Sequence, residues 1–269
     1  MAETVRVLGL FGSPRRGGNT QILLEEALKG AETEGAKVER LYLSDFTITP
    51  CKECHGCDST GNCVILDDME KIYPKLLEAD VVILASPIFF YGVTAWAKAL
   101  IDRSQAFWTR KYLLKDPFLG KEGKKRKGFF ISAGATKGLK VFDGAILTVK
   151  YFFDVLNAEY VGELVFRGVE AKGDILKDPK ALQQAFEVGR KLVSDPKKEG
   201  GEIEEVTLMT QWKCSHCGYT FGAKTVPERC PSCKQACTFS DVTCYIPDCG
   251  GQGNIDPRLV GKKDKPVNE

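Results

Sequence analysis

Apolar positions along the first two thirds of the chain fall into two alternating patterns. Short runs such as 5–10 and 80–85 are almost wholly apolar, the mark of strands buried on both faces. Between them lie stretches at helical spacing, as at Ile22, Leu23, Ala27 and Leu28, with Gly35 as a stop. The pattern predicts strands at 5–10, 38–43, 80–85, 128–132 and 160–165, and helices at 20–34, 69–77, 94–107, 139–156 and 179–193. Strands alternating with helices imply right-handed crossovers and a parallel sheet covered on both faces. Five such strands fit a doubly wound α/β sheet of order 2-1-3-4-5.

The pattern fades at 194–205, a polar stretch with a proline and paired glycines that reads as a linker. A short cysteine-rich module follows, then a Gly/Lys/Asp-rich tail from about 250. The expected organisation is an α/β domain over 1–195, a linker over 196–210, a small metal domain over 211–249 and an irregular tail over 250–269. The basic run at 121–127 reads as a solvated loop. With 38 basic against 36 acidic residues, charge gives no case for a nucleic-acid or membrane-surface partner. No apolar run reaches the roughly 18–20 residues a membrane helix needs. The N-terminus shows no signal-peptide pattern, so a cytoplasmic location is expected. There, eleven cysteines point to metal or catalysis rather than to disulfides.

Gly12-Ser13-Pro14-Arg15-Arg16-Gly17-Gly18-Asn19-Thr20 joins the first strand to the first helix. In an open parallel sheet, ligands bind beyond the carboxyl ends of the strands. A helix N-terminus there suits a phosphate. Gly17 and Gly18 allow close approach, Ser13, Asn19 and Thr20 add hydrogen-bond donors, and Arg15 adds charge. The plainer alternative is a loop in which Asn19 or Thr20 simply caps the helix. The aromatic segment Ser86-Pro87-Ile88-Phe89-Phe90-Tyr91-Gly92 follows the third strand. An isoalloxazine ring is a suitable partner for it, and a neighbouring subunit is another. Ser132, Ala133 and Gly134 end the next strand with small residues that leave room for a ring.

On these three segments, together with Lys98-Ala99-Leu100-Ile101-Asp102-Arg103, residues 1–195 resemble the NAD(P)H-dependent FMN reductases of the flavodoxin superfamily. The resemblance implies a flavodoxin-like fold, FMN as cofactor, and a homodimer or homotetramer with flavin near the subunit interface. Ser13, Arg15, Gly18, Asn19 and Thr20 would meet the phosphate. Pro87, Ile88, Phe89, Phe90, Tyr91, Gly92, Ser132, Ala133 and Gly134 would meet the ring.

Cys51, Cys54, Cys57 and Cys63 form a Cys-x2-Cys-x2-Cys-x5-Cys run. Tight x2 spacings are typical of iron–sulfur loops, and the longer last step lets Cys63 close the same cluster. Zinc, a c-type haem at Cys51-Lys52-Glu53-Cys54-His55, and metal-free thiols are the rival readings. The motif, with Val64-Ile65-Leu66-Asp67-Asp68-Met69 after it, resembles the iron-sulfur flavoproteins of anaerobic microbes. That resemblance implies a 4Fe–4S cluster exchanging electrons with FMN.

Cys214-x2-Cys217 and Cys230-x2-Cys233 give a four-sulfur site that suits iron or zinc. It resembles the rubredoxin-like domain of rubrerythrins, which implies one redox-active iron. Cys237, Cys244 and Cys249 are too few for a further site and read as buried or incidental thiols. His55 and His216 read as exposed turn residues. The leading functional expectation is an electron-transfer flavoprotein with no side chain needed as acid or base. Its partners would be a ferredoxin or rubredoxin, NAD(P)H, or oxygen or peroxide. The alternatives are an NAD(P)H-dependent flavin or quinone reductase with structural zinc, and a C-terminal zinc ribbon that only docks a partner.

Overall fold

The computed structural model describes residues 4–116, 126–138, 140–194, 210–223 and 227–241. The chain divides into two compact units, 1–199 and 200–269. The expected tail, and the expected linker apart from its last residue Thr210, lie outside the described residues, as does most of the basic run at 121–127.

In the first unit, β1 (Arg6–Phe11), β2 (Lys37–Tyr42), β3 (Val81–Ala85), β4 (Arg126–Gly134) and β5 (Ala158–Arg167) form one sheet in the order β2-β1-β3-β4-β5. Every pairing is parallel, so this is the expected flavodoxin-like α/β sheet. Side-chain alternation along the strands divides the core in two. Leu8, Leu10, Val82, Leu84 and Phe130 face α2 (Met69–Glu78), α3 (Ala95–Arg103) and α5 (Asp143–Val155). Val7, Phe11, Ile83, Phe129 and Ile131 face α1 (Asn19–Thr33) and α6 (Pro179–Val193). The backbones of α1 and α6 nearly touch. A β-carbon placed on Gly189 would lie 1.7 Å from the Ala27 carbonyl oxygen.

Two expected helices differ from the observed ones. The stretch 94–107 is broken at Ser104, whose hydroxyl donates to the Leu100 carbonyl, a back-bond that bends helices. A short α4 (Gln105–Trp108) follows and passes into a π-helical turn, Thr109–Leu113. The expected helix at 139–156 begins only at Asp143, because Gly138 accepts from the Val141 N–H in a turn that delays it. No helix among the described residues is long and apolar enough to cross a membrane.

The second unit contains a three-stranded antiparallel sheet, with β6 (Thr210–Cys214) between β7 (Thr220–Ala223) and β8 (Phe239–Asp241).

Candidate functional site

Because the sheet is parallel, the loops after β1, β2, β3 and β4 all leave one edge. The loop after β1 is the glycine-rich segment. Gly18 stands at the N-cap of α1 and has no side chain to cap it. Asn19 does not cap it either: its Nδ2 donates to the Ala171 carbonyl and its Oδ1 accepts from the Ile175 N–H. The first-turn N–H groups of α1 are therefore left open to an anion, an arrangement that fits a cofactor phosphate. Thr20 is buried beneath the loop, and Ser13 accepts from the Arg15 N–H at 3.2 Å. Arg15 is exposed, and its guanidinium donates to the Glu170 carbonyl at 3.4 Å. Arg16 is committed elsewhere. It pairs with Asp45 and stacks 3.7 Å from the Tyr42 ring centre, which ties the glycine-rich loop to the start of the loop after β2.

The aromatic loop after β3 makes a tight turn. Phe89 and Gly92 exchange both backbone hydrogen bonds at 2.9 Å, with Phe90 and Tyr91 at φ +50° and +62°. Such a turn ordinarily carries Asn or Gly. Its aromatic rings project outward, and Phe90 is fully exposed. Ser132 and Ala133 are buried below this turn, with Gly134 beside Ile88. A buried hydrogen-bond chain locks the three segments together. Ser132 Oγ donates to the Ser86 carbonyl, the Thr94 N–H donates to Ser86 Oγ, and the Thr94 hydroxyl donates to the Gly12 carbonyl. Thr94 also caps α3 by accepting from the Ala97 N–H.

Cys51, Cys54, Cys57 and Cys63 lie in the loop after β2, with Cys54 exposed and the others half-buried. Among the described residues, the four-sulfur group whose atoms all lie within 4.8 Å of one another is the C-terminal one and not this one. The loop folds against the π-helical turn: Cys57 Sγ is 3.6 Å from Thr109 Oγ1, and the Arg110 side chain packs on Gly61. π-turns of this kind are frequent at functional sites. His55 is exposed, with Nδ1 3.0 Å from Asp58.

Beneath the loop, Arg103 forms an ion pair with Asp67 at 2.5 Å, with side-chain exposures of 0% and 5%. Burial opposes the Arg103 charge, but the Asp67 hydrogen bond, with Tyr73 and Cys63 after it, raises its pKa. Burial also tends to raise the Asp67 pKa. Arg103 and the Met69 and Thr49 N–H groups outweigh that and leave it below the usual carboxylate range. Four thiols in one loop above a buried cation fit an anionic iron–sulfur cluster.

In the second unit the sulfurs of Cys214, Cys217, Cys230 and Cys233 all lie within 4.8 Å of one another. This donor set fits one tetrahedral metal ion. The Cys217 N–H, then the Cys237 thiol and the His216 N–H, stabilise the Cys214 thiolate and bring its pKa down to about 6. Cys237 is half-buried, and its Sγ is 3.1 Å from Cys214 Sγ. Cys244 and Cys249 lie outside the described residues.

Sequence reasoning gave no role to Arg103 or Asp67 and missed Lys172. Lys172 Cε would lie 2.9 Å from a β-carbon on Gly17, so this lysine reaches the glycine-rich loop from far along the chain. Arg103 and Asp67 stand in segments that carry the family resemblances, but nothing local gives either a role, and no local signal marks Lys172. Thr94 opens the predicted helix 94–107, but its part as a cap and as a link between loops was not legible.

The family described as NADPH-dependent FMN reductase matches residues 5–160. The rubredoxin-like domain of rubrerythrin matches residues 212–239. An iron-sulfur flavoprotein of Methanocaldococcus jannaschii is 32% identical over 195 residues, 70% of this chain and 95% of that one. Another, from Archaeoglobus fulgidus, is 31% identical over 207 residues, covering 76% of this chain and 90% of its own. Among solved structures, an NAD(P)H:quinone oxidoreductase from Methanothermobacter marburgensis superposes with a TM-score of 0.54. It is 18% identical and covers 72% of this chain and 98% of its own, a likeness of fold.

Proposed function

The chain belongs to the NADPH-dependent FMN reductase family and is a flavin-dependent oxidoreductase; from that premise we propose that it is an electron-transfer iron–sulfur flavoprotein. In this reading electrons pass between FMN, a 4Fe–4S cluster in the Cys51–Cys63 loop and an iron in the four-cysteine module. The observation that carries it is that the loops holding the uncapped α1 N-terminus, the aromatic turn and the cysteines all leave the same edge of the parallel sheet. FMN supplies the chemistry of accepting electrons in pairs or singly, which joins a two-electron partner to one-electron iron centres.

The chain's own groups bind and orient. The open N–H groups of α1, with Ser13 and Arg15, hold the phosphate. Phe89, Phe90 and Tyr91 flank the ring, and Ser86, Thr94 and Ser132 keep the loops rigid around it. Cys51, Cys54, Cys57 and Cys63 hold the cluster. Cys214, Cys217, Cys230 and Cys233 hold the single iron. The donor class is a nicotinamide or a reduced ferredoxin, and the acceptor class is a rubredoxin, oxygen or peroxide.

The test is anaerobic purification with iron, zinc, acid-labile sulfide and FMN measured on one sample. About five irons, about four sulfides and about one FMN per chain are expected from this cofactor set. Intact protein lacking sulfide removes the cluster from the reading. Convergence of the C-terminal sulfurs also suits zinc. Zinc without iron there, together with NAD(P)H oxidation by a quinone, would make the protein a reductase with a structural metal.

A further inference from the structure

We propose that Arg103 is the positioning residue of the cysteine loop: it clamps the loop's two ends together and sets a fixed positive charge beneath the cluster. This inference rests on reading the loop as an iron–sulfur site.

Arg103 is the last residue of α3, and its side chain is fully buried. One terminal nitrogen donates to the Thr49 carbonyl at 2.8 Å and to Asp67 Oδ2. The other donates to the Ile65 carbonyl at 3.1 Å. Thr49 comes shortly before Cys51 and Ile65 shortly after Cys63, so one planar guanidinium joins the entry and exit of the loop. Asp67 completes the frame by accepting from the Thr49 and Met69 N–H groups at 2.8 and 3.0 Å. From α2, the Tyr73 hydroxyl donates to the Arg103 carbonyl at 2.7 Å. A lysine has one compact ammonium and cannot fork between three separated acceptors in this way.

The remaining nitrogen of the fork, Nε, is buried and has no partner among the described residues. A buried donor left unmet costs about 1–3 kcal/mol, and in a native structure it points to an unseen acceptor. Cys63 is an electrostatic neighbour of both Arg103 and Tyr73. A cluster held by four thiolates carries net negative charge and is rich in sulfur acceptors. It would give Nε its partner and Arg103 a counter-charge besides Asp67. Net charge and hydrogen bonds to sulfur are two of the factors that set a cluster's potential.

Removal of the cation and removal of its carboxylate partner therefore have opposite electrostatic effects. Arg103→Gln takes a positive charge from beneath the cluster and makes reduction harder. Asp67→Asn takes a negative charge away and makes it easier. A clamp that is only structural moves both variants the same way.

The experiment uses the full chain, prepared anaerobically as wild type, Arg103→Lys, Arg103→Gln and Asp67→Asn. Iron, sulfide and FMN are counted, and the cluster midpoint is read by a redox titration followed by electron paramagnetic resonance. Losing such a supporting partner weakens metal binding about 10–100-fold, so Arg103→Gln is expected to lose sulfide while keeping FMN. The cluster it retains titrates at a more negative midpoint, Asp67→Asn at a more positive one. Arg103→Lys, which keeps the charge, holds a midpoint closer to wild type than Arg103→Gln does. It serves as the comparison with Asp67→Asn where Arg103→Gln fails to fold. Wild-type sulfide and midpoint in every variant overturn the role of Arg103, as do shifts of one sign in Arg103→Gln and Asp67→Asn. A wild-type chain without sulfide overturns the cluster reading itself.

Discussion

Phe90 and Tyr91 hold a backbone conformation that side chains with a β-carbon avoid, at the tip of a loop where their rings meet solvent. Strain of this kind persists at sites where function needs the geometry. Replacing Phe90 by Gly is expected to raise stability by about 1 kcal/mol, because the left-handed strain disappears and little packing is lost. The same change should weaken FMN affinity. Denaturant midpoints of the apoprotein and a flavin fluorescence titration would check the two halves separately. The Arg103–Asp67 pair makes a second prediction at this scale. The Asp67 pKa lies below its unfolded value, so the pair contributes stability that is fully present above about pH 4. That contribution is lost as pH falls further, through the depressed folded value. Asp67→Asn should cost roughly 3 kcal/mol at neutral pH and flatten the acid limb of the stability curve. Chemical denaturation between acidic and neutral pH would show it.

At the scale of elements, the contact between α1 and α6 is made backbone to backbone at Gly30 and Gly189. Gly189→Ala should cost about 3 kcal/mol or more by forcing the helices apart, against the small gain alanine brings to an exposed helix. A thermal melt of the apoprotein would measure it. The strands and most helices were legible because burial on two faces writes itself locally, as the wholly apolar β3 shows. The break at Ser104 was not, since a serine inside a helical pattern bends it only when its hydroxyl finds the preceding turn. The cysteine spacings were legible for the same local reason. Arg103 and Lys172 were not, because their partners are brought to them by the fold rather than by sequence distance. The approach of Cys237 to Cys214 was not legible, because nothing in its spacing from Cys233 marks a return to Cys214 across β6 and β8.

On the scale of the molecule, the two units predict separable behaviour. Deleting residues 206–269 should leave flavin and cluster content unchanged and remove one metal per chain, as metal analysis of both proteins would show. Cys214→Ser should lose that metal, whereas Cys237→Ser, which lies outside the converging four, should keep it. The uncapped start of α1 carries a last consequence. A helix whose first turn has no cap frays, and its amide protons exchange quickly with deuterated water. In the apoprotein, residues 19–21 should therefore exchange among the fastest of α1. Saturating FMN should slow them sharply while leaving the middle of the helix nearly unchanged. In that sense the cofactor's phosphate is the residue the sequence omits at the head of this helix, and flavin loading becomes a step in completing the fold.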